Sequence, residues 1–510
     1  LVADEDLIAA GASFVGKSAT NGSLNLSVLA DQAQAITATT LKTLNLNVEL
    51  DAADTDKKAT LAAVSNATQD VTLTSTDEVD ITLATAKNFD ASASTGKLTA
   101  KFATATESVV GSQGKNDLTL NTVANEVSVV TFDADDTVTL GTADATDNVT
   151  LVLGGGKNTV NAVTNGIAGA DLSVVTGSGD DTVKVKADST SGVNNIVLEL
   201  GDGKNTVELT TANGTNDNNI TIVTGAGNDT LKMQSATLAK DTIDWTAGSG
   251  TNTLDLNGKD IKLGAITLDG VTHILDSDGA GVVNGSLLNG KDYTIQGDGN
   301  IATLLDVAIT AAGEYDFSGL TLDATLAKGI GGLDITGSAS SDKITGTDGN
   351  DTITAGAGTN TITGGKGADT FVGGAGTDTY VINAGDTGKT VGTIDIITTA
   401  FTSGTDKIKW GLDGTATNYW EGQATGAGSG AAGVLSLADV LIQANLKLDG
   451  TIRYVVMDNY NATNSSGGGS SVAADAVYAF FDRDGDGTAD EVIQLVGADA
   501  TAYAFGDFIA

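Results

Sequence analysis

Five consecutive nine-residue units, GSASSDKIT, GTDGNDTIT, AGAGTNTIT, GGKGADTFV and GGAGTDTYV, run from Gly337 to Val381. They place Asp342, Asp351, Asn360, Asp369 and Asp378 at one repeated position, two residues before an apolar or aromatic residue. The units follow the template G-G-x-G-x-D-x-U-x of calcium-binding β-helix repeats. Glycine turns let backbone carbonyls approach a cation, and Asp adds a hard charged oxygen. The glycines assigned to these turns are Gly346, Gly349, Gly358, Gly365, Gly367, Gly374 and Gly376. Ile344, Ile353, Ile362, Phe371 and Tyr380 should point inwards from short strands. Two units make one turn of such a roll, so Asp351 pairs with Asp369 as the best-charged site. Asn360 sits between Asp342 and Asp378 on the weaker side. Asp348, at a turn position the template leaves variable, is an added ligand or a surface charge. The cofactor implied is Ca2+, several ions per chain.

Two further places carry the same chemistry. The turns GSGDD and GAGND make Asp180, Asp181 and Asp229 either calcium ligands or members of a stacking ladder. In FFDRDGDGTADE, Asp482, Asp484, Asp486 and Asp490 hold positions 1, 3, 5 and 9 of an EF-hand-like loop, but position 12 is Ile493 and not a bidentate Glu. That loop reads as a strand-loop-strand calcium site or as a metal-free hairpin turn.

Composition narrows the setting. The 510 residues contain 26 Lys plus Arg against 65 Asp plus Glu, a formal charge of −39. Phosphate partners are repelled at that charge, so nucleic acid is excluded as a partner. There are 66 Gly, no Cys, no Pro and a single histidine, His273. Thiolate chemistry, disulfides and His-rich metal sites are therefore ruled out. No apolar run is long enough for a helix to cross a bilayer, and membrane insertion is not expected. The opening LVADEDLIAAG lacks the positive region of a secretory signal.

The elements that position these residues are repeats. Around the Asx residues Asp136, Asn158, Asp181, Asn205, Asp229 and Asn252, spaced by 22, 23, 24, 24 and 23, a strand, a Gly-rich turn and a second strand recur. Such units bury their apolar face only by stacking. The fold expected is all-β: an elongated parallel β-helix or β-solenoid with a C-terminal calcium β-roll and a small β-rich cap. Residues 1–110 form an irregular β-repeat region, as looser coils or a sandwich-like cap. Residues 111–260 form the solenoid, 261–336 further coils or a connector, 337–381 the roll and 382–510 the C-terminal cap. Beyond 382 the periodicity disappears. SLADVLIQANLKL there reads as an amphipathic helix, with Leu437, Val440, Leu441 and Ala444 on one face, and NATNSSGGGSS as a flexible loop. One position earlier than the Asx, Asp135, Lys157, Asp180 and Lys204 alternate in sign, which predicts a charge ladder fixing the register.

The contiguous nonapeptides, the Asp/Gly-rich chain without Cys or Pro and the ending VIQLVGADATAYAFGDFIA resemble the RTX proteins exported by type I secretion. That resemblance implies an uncleaved export signal within roughly the last 60 residues. The Thr/Ala/Asn-rich body resembles calcium-dependent S-layer proteins of Gram-negative bacteria. It implies an extracellular cell-surface location, a self-assembling lattice as the partner, and lipopolysaccharide as an anchor, although no segment for the latter is evident. The function expected is structural and not enzymatic. A polysaccharide-modifying β-helix enzyme would want a basic cluster, and the two arginines, Arg453 and Arg483, lie outside the solenoid. A secreted adhesin or biofilm-matrix protein is the alternative.

Overall fold

Alternation of apolar and polar residues, with Thr, Val and Ile enriched, favours strands whose one face is buried. The computed structural model is accordingly almost entirely β. It describes residues 2–3, 13–14, 23–29, 34–38, 43–50, 58–65, 70–103, 106–142, 148–168, 171–188, 195–211, 218–235, 241–260, 265–277, 281–297, 304–323, 331–398, 401–424, 436–458, 476–496 and 503–510. The stretch NATNSSGGGSS lies outside them. The chain divides into two compact units, Leu1–His273 and Ile274–Ala510.

In the first unit each coil gives one strand to each of two parallel stacks. Thr182–Asp188 pairs with Thr206–Thr211 in one, and Asn195–Leu200 with Asn219–Thr224 in the other. The register puts Val160, Val183, Val207, Leu231 and Leu254 directly over one another, each at most 2% exposed. These columns of small aliphatic side chains are the core, and each coil buries its face only against the coils above and below. The described strands before residue 110 follow the same parallel two-stack scheme, the looser coils of the two forms expected. Ser23–Leu29, Thr43–Glu49, Asp70–Ser75 and Asn88–Asp90 form one parallel stack, and Lys58–Ser65, Glu78–Leu83 and Leu98–Phe102 another.

The turn ladder differs from the one expected. Lys157 and Lys204 join it through their backbone N–H groups, which donate to Asp135 and Asp180 Oδ1, both at 2.8 Å. A short Asx side chain reaches the amide of the next rung, so the character of the Lys side chain is not used. Charge alternation lies on the strands instead: Lys184 is 3.0 Å from Glu208 and Lys232 is 3.1 Å from Asp255.

The second unit has its own two-stack scheme, with strands of three residues and shorter coils through the nonapeptides. Gly332–Thr336, Thr352–Thr354, Thr370–Val372 and Asp395–Ile397 follow one another in a ten-stranded sheet. Glu314–Asp316, Lys343–Thr345, Thr361–Thr363, Thr379–Val381 and Lys407–Lys409 do so in a six-stranded one. The repeat therefore runs past residue 382, where the sequence pattern ends. Glu491–Val496 then pairs parallel with Asp395–Ile397, and Ala476–Phe481 pairs antiparallel with both Glu491–Val496 and Tyr454–Asp458. The helix Leu437–Asn445 covers this end with Leu437, Val440 and Ala444, and Leu441 packs against the same cluster. Ser436 and Asp439 close its first turn as a capping box. A second, four-residue helix, Gly285–Leu288, has no periodic signal in the sequence.

Candidate metal centre

The nonapeptide strands are held by a ladder of Asx side chains. On one stack, Leu333 N–H donates to Asp351 Oδ1 (2.6 Å), Asp351 N–H to Asp369 Oδ1 (2.8 Å) and Asp369 N–H to Asp395 Oδ1 (3.0 Å). On the other, Asp342 N–H donates to Asn360 (2.9 Å), Asn360 N–H to Asp378 (3.2 Å) and Asp378 N–H to Asp406 (2.9 Å). Side chains two units apart therefore stack, as the spacing predicted. One side-chain oxygen of each rung is thus spent on the backbone.

The second oxygen decides what the turn can bind. Asp369 Oδ2 and Asp378 Oδ2 are buried and have no hydrogen-bond partner. Glycine five residues earlier leaves room for them: a Cβ at Gly364 would collide with Asp369 Oδ2. At Gly376, φ is +139°, and a Cβ would run into the carbonyl oxygen of Gly358 one turn away. Gly365, Gly367 and Gly374 belong to the same closely stacked turns.

Stacking like charges in a buried column is costly. Burial first, then the Asp395 and Asp351 charges, push the Asp369 carboxyl up to about 9. Burial likewise raises Asp395 to about 7 and Asp351 to about 6. An ion bearing two positive charges among these oxygens would remove that penalty. The donor set is entirely hard oxygen, which suits Ca2+. Asp369 on one stack and Asp378 on the other, each with carbonyls of its neighbouring glycine turns, are the residues that would hold such ions, whereas Asp406 Oδ2 already accepts from Thr402 N–H at 2.6 Å.

Other residues singled out in the sequence are placed differently. Asp351 does stack on Asp369, but its Oδ2 accepts from Thr347 N–H at 2.6 Å and from Thr347 Oγ at 3.0 Å. Thr occupies the second position of that unit where the template has Gly, so the pair is not the best-prepared site. Asp342 is similarly engaged by Ser338 N–H and Oγ, both at 2.8 Å. Asp348 is exposed and pairs with Lys366 at 2.6 Å, which makes it a surface charge. Gly346 and Gly349 line the Asp351 turn, and Gly358 lies beneath Gly376. Asn360 gives its amide to Asp378 at 2.9 Å.

In the C-terminal loop, ligand atoms of Asp482, Asp484 and Asp490 lie within 4.8 Å of one another. Asp486 stands apart and accepts from Thr488. Asp482 is already engaged by Gly485 and Gly487 N–H, at 2.5 and 3.0 Å. In the first unit Asp181 and Asp229 are buried, whereas Asp180 is exposed.

Asp395 and Asp406 were not found from the sequence, and they complete both columns. A trace of the motif survives as G-x-D-x-U over Gly404–Ile408, hidden because longer loops replace the nine-residue spacing.

A family model for the RTX calcium-binding nonapeptide repeat (four copies) matches residues 334–362 and 345–380. No curated protein matches the chain. No helix among the described residues is long and apolar enough to cross a membrane. Residues 334–380, a small part of the chain, carry RTX calcium-binding nonapeptide repeats.

Proposed function

We propose that this is a secreted structural protein whose roll sets on meeting extracellular calcium, and which then assembles with copies of itself into a cell-surface S-layer lattice. The observation that carries the reading is the column Asp351, Asp369, Asp395: buried carboxylates that repel one another and leave Asp369 Oδ2 without a partner. At a charge of −39 the chain resists compaction until cations neutralise it. Calcium at about 0.1 to 1 mM, the range of extracellular modules, would suffice. Inside the cell, where calcium is scarce, the roll stays open and the chain is exported by the type I route through its C-terminal segment. The role is architectural, with lipopolysaccharide as a partner to be tested for anchoring.

Electron microscopy of the purified chain with calcium and with chelator tests this. Two-dimensional sheets that disperse on chelation are expected. Filaments or monomers in calcium would favour the adhesin or matrix role, and sheets indifferent to chelator would overturn the calcium dependence.

A further inference from the structure

The buried turns of the first unit solve one problem in two ways. In the Asn turns the side chain closes its own turn. Asn158 Nδ2 donates to the carbonyls of Gly154 and Gly156 at 3.0 and 3.2 Å, and Asn205 Nδ2 to those of Gly201 and Gly203 at 2.8 and 3.4 Å. Asn116 does the same with Ser112 and Gly114. The Asp turns between them have no such donor. Asp136, Asp181 and Asp229 accept through Oδ1 from Asn116, Asn158 and Asn205 N–H, at 2.7, 2.8 and 2.9 Å. Each is 1% exposed, and in each Oδ2 is buried without a hydrogen-bond partner.

A second residue changes in step. Five positions before the Asx, the Asp turns have Thr131, Thr176 and Thr224, while the Asn turns have Gly111, Leu153, Leu200 and Ala247. All three threonines are buried, and Thr131 and Thr176 Oγ also lack a partner. At that position a hydroxyl accompanies the carboxylate at every Asp turn of this series and none of the Asn turns has one, although Ser112, one place later, donates to Asn116 Oδ1 at 3.1 Å. Orphaned oxygens of this kind cost free energy unless something positive sits among them.

We infer that the Asp136, Asp181 and Asp229 turns are calcium sites separate from the nonapeptide roll. Each takes one ion through the carboxylate Oδ2, the threonine hydroxyl and carbonyls of its own turn, at the place the Asn amide fills in the alternate turns. The donors are hard oxygens, as Ca2+ requires. One carboxylate per site makes these ions weaker-bound than those of the roll, where charged rungs follow without interruption. Burial raises the Asp136 and Asp181 carboxyls above their ordinary range; the Thr131 and Thr176 hydroxyls, beside them but outside hydrogen-bond geometry, oppose that rise. This inference stands apart from lattice assembly.

The experiment counts calcium bound to the full chain by equilibrium dialysis, with Ca2+ alone as the probe. The variant Asp136→Asn/Asp181→Asn/Asp229→Asn adopts the side chain that the neighbouring turns already use. Three fewer ions at saturation are expected, with the roll's tighter class untouched. A folded variant that binds as many ions as the parent overturns the inference and leaves protonated Asp side chains as the explanation. Thr131→Val/Thr176→Val keeps every carboxylate and covers the case in which the first variant does not fold. A weakening of the weaker class by about three- to tenfold is expected, and a parent-like titration would count against the sites.

Discussion

The first unit and the nonapeptide roll use the same stacking device, an Asx side chain accepting the backbone N–H of the adjacent rung, and differ in what occupies successive rungs. In the first unit Asn and Asp alternate from Asn116 to Asn252, so no buried carboxylate has another directly above it. In the roll Asp351, Asp369 and Asp395 follow one another. Interleaved amides let parallel coils stack with little help, whereas uninterrupted carboxylates make the stack conditional on a cation. The difference separates a scaffold from a switch made with one backbone geometry.

Chelation should break that comparison most visibly. In hydrogen exchange with excess chelator, amides of Lys343–Thr345, Thr361–Thr363 and Thr379–Val381 should lose nearly all protection, while Thr182–Asp188 and Thr206–Thr211 keep most of theirs. Equal loss in both units would remove the distinction. Next in size is the pH response without calcium. Asp369 titrates near 4 in an unfolded chain and at about 9 in the roll, so the folded state holds the extra proton in between. Stability of the chelated roll is full below about pH 4 and falls as pH rises towards 9. Unfolding followed by Phe371 and Tyr380 environment should thus occur more easily at pH 8 than at pH 5 in chelator. Calcium should reverse the order, because it needs the ionised carboxylate.

Smaller changes sharpen the contrast. Gly364→Ala forces a methyl onto Asp369 Oδ2 and should cost about 2–4 kcal/mol, read as a higher calcium midpoint for folding. Asn205→Asp makes three successive carboxylates with Asp181 and Asp229, importing the roll's arrangement into the first unit. It should destabilise that unit by about 1–3 kcal/mol in chelator, with part of the loss recovered in calcium; melting curves in the two buffers give the answer. Lys184→Ala removes a partly exposed pair with Glu208 and should change stability by less than about 1 kcal/mol.

The parallel coils and the paired stacks were legible because Val183, Val207 and Leu231 recur at nearly constant spacing and their burial follows alternation. The helix at Leu437 was legible from its apolar face. What escaped were features set by the space around a side chain. Nothing in the unit GTDGNDTIT says that Thr347 will turn back and satisfy Asp351. Asp395 and Asp406 reach their columns over coils of 26 and 28 residues, so a fixed period cannot find them. The Lys residues of the turn column suggested ion pairing because sequence reports side-chain charge, while the ladder uses main-chain amides.

The reversal of strand direction at Ala476–Phe481 has a consequence for solubility. A stack of parallel strands offers an endless template, since every terminal rung can recruit another chain through its unpaired amides. Here the run of parallel coils in the ten-stranded sheet stops at Glu491–Val496, which has Asp395–Ile397 parallel on one edge and Ala476–Phe481 antiparallel on the other. Both edges of Glu491–Val496 are therefore taken, so a second chain cannot add another parallel rung to the coil column at that strand.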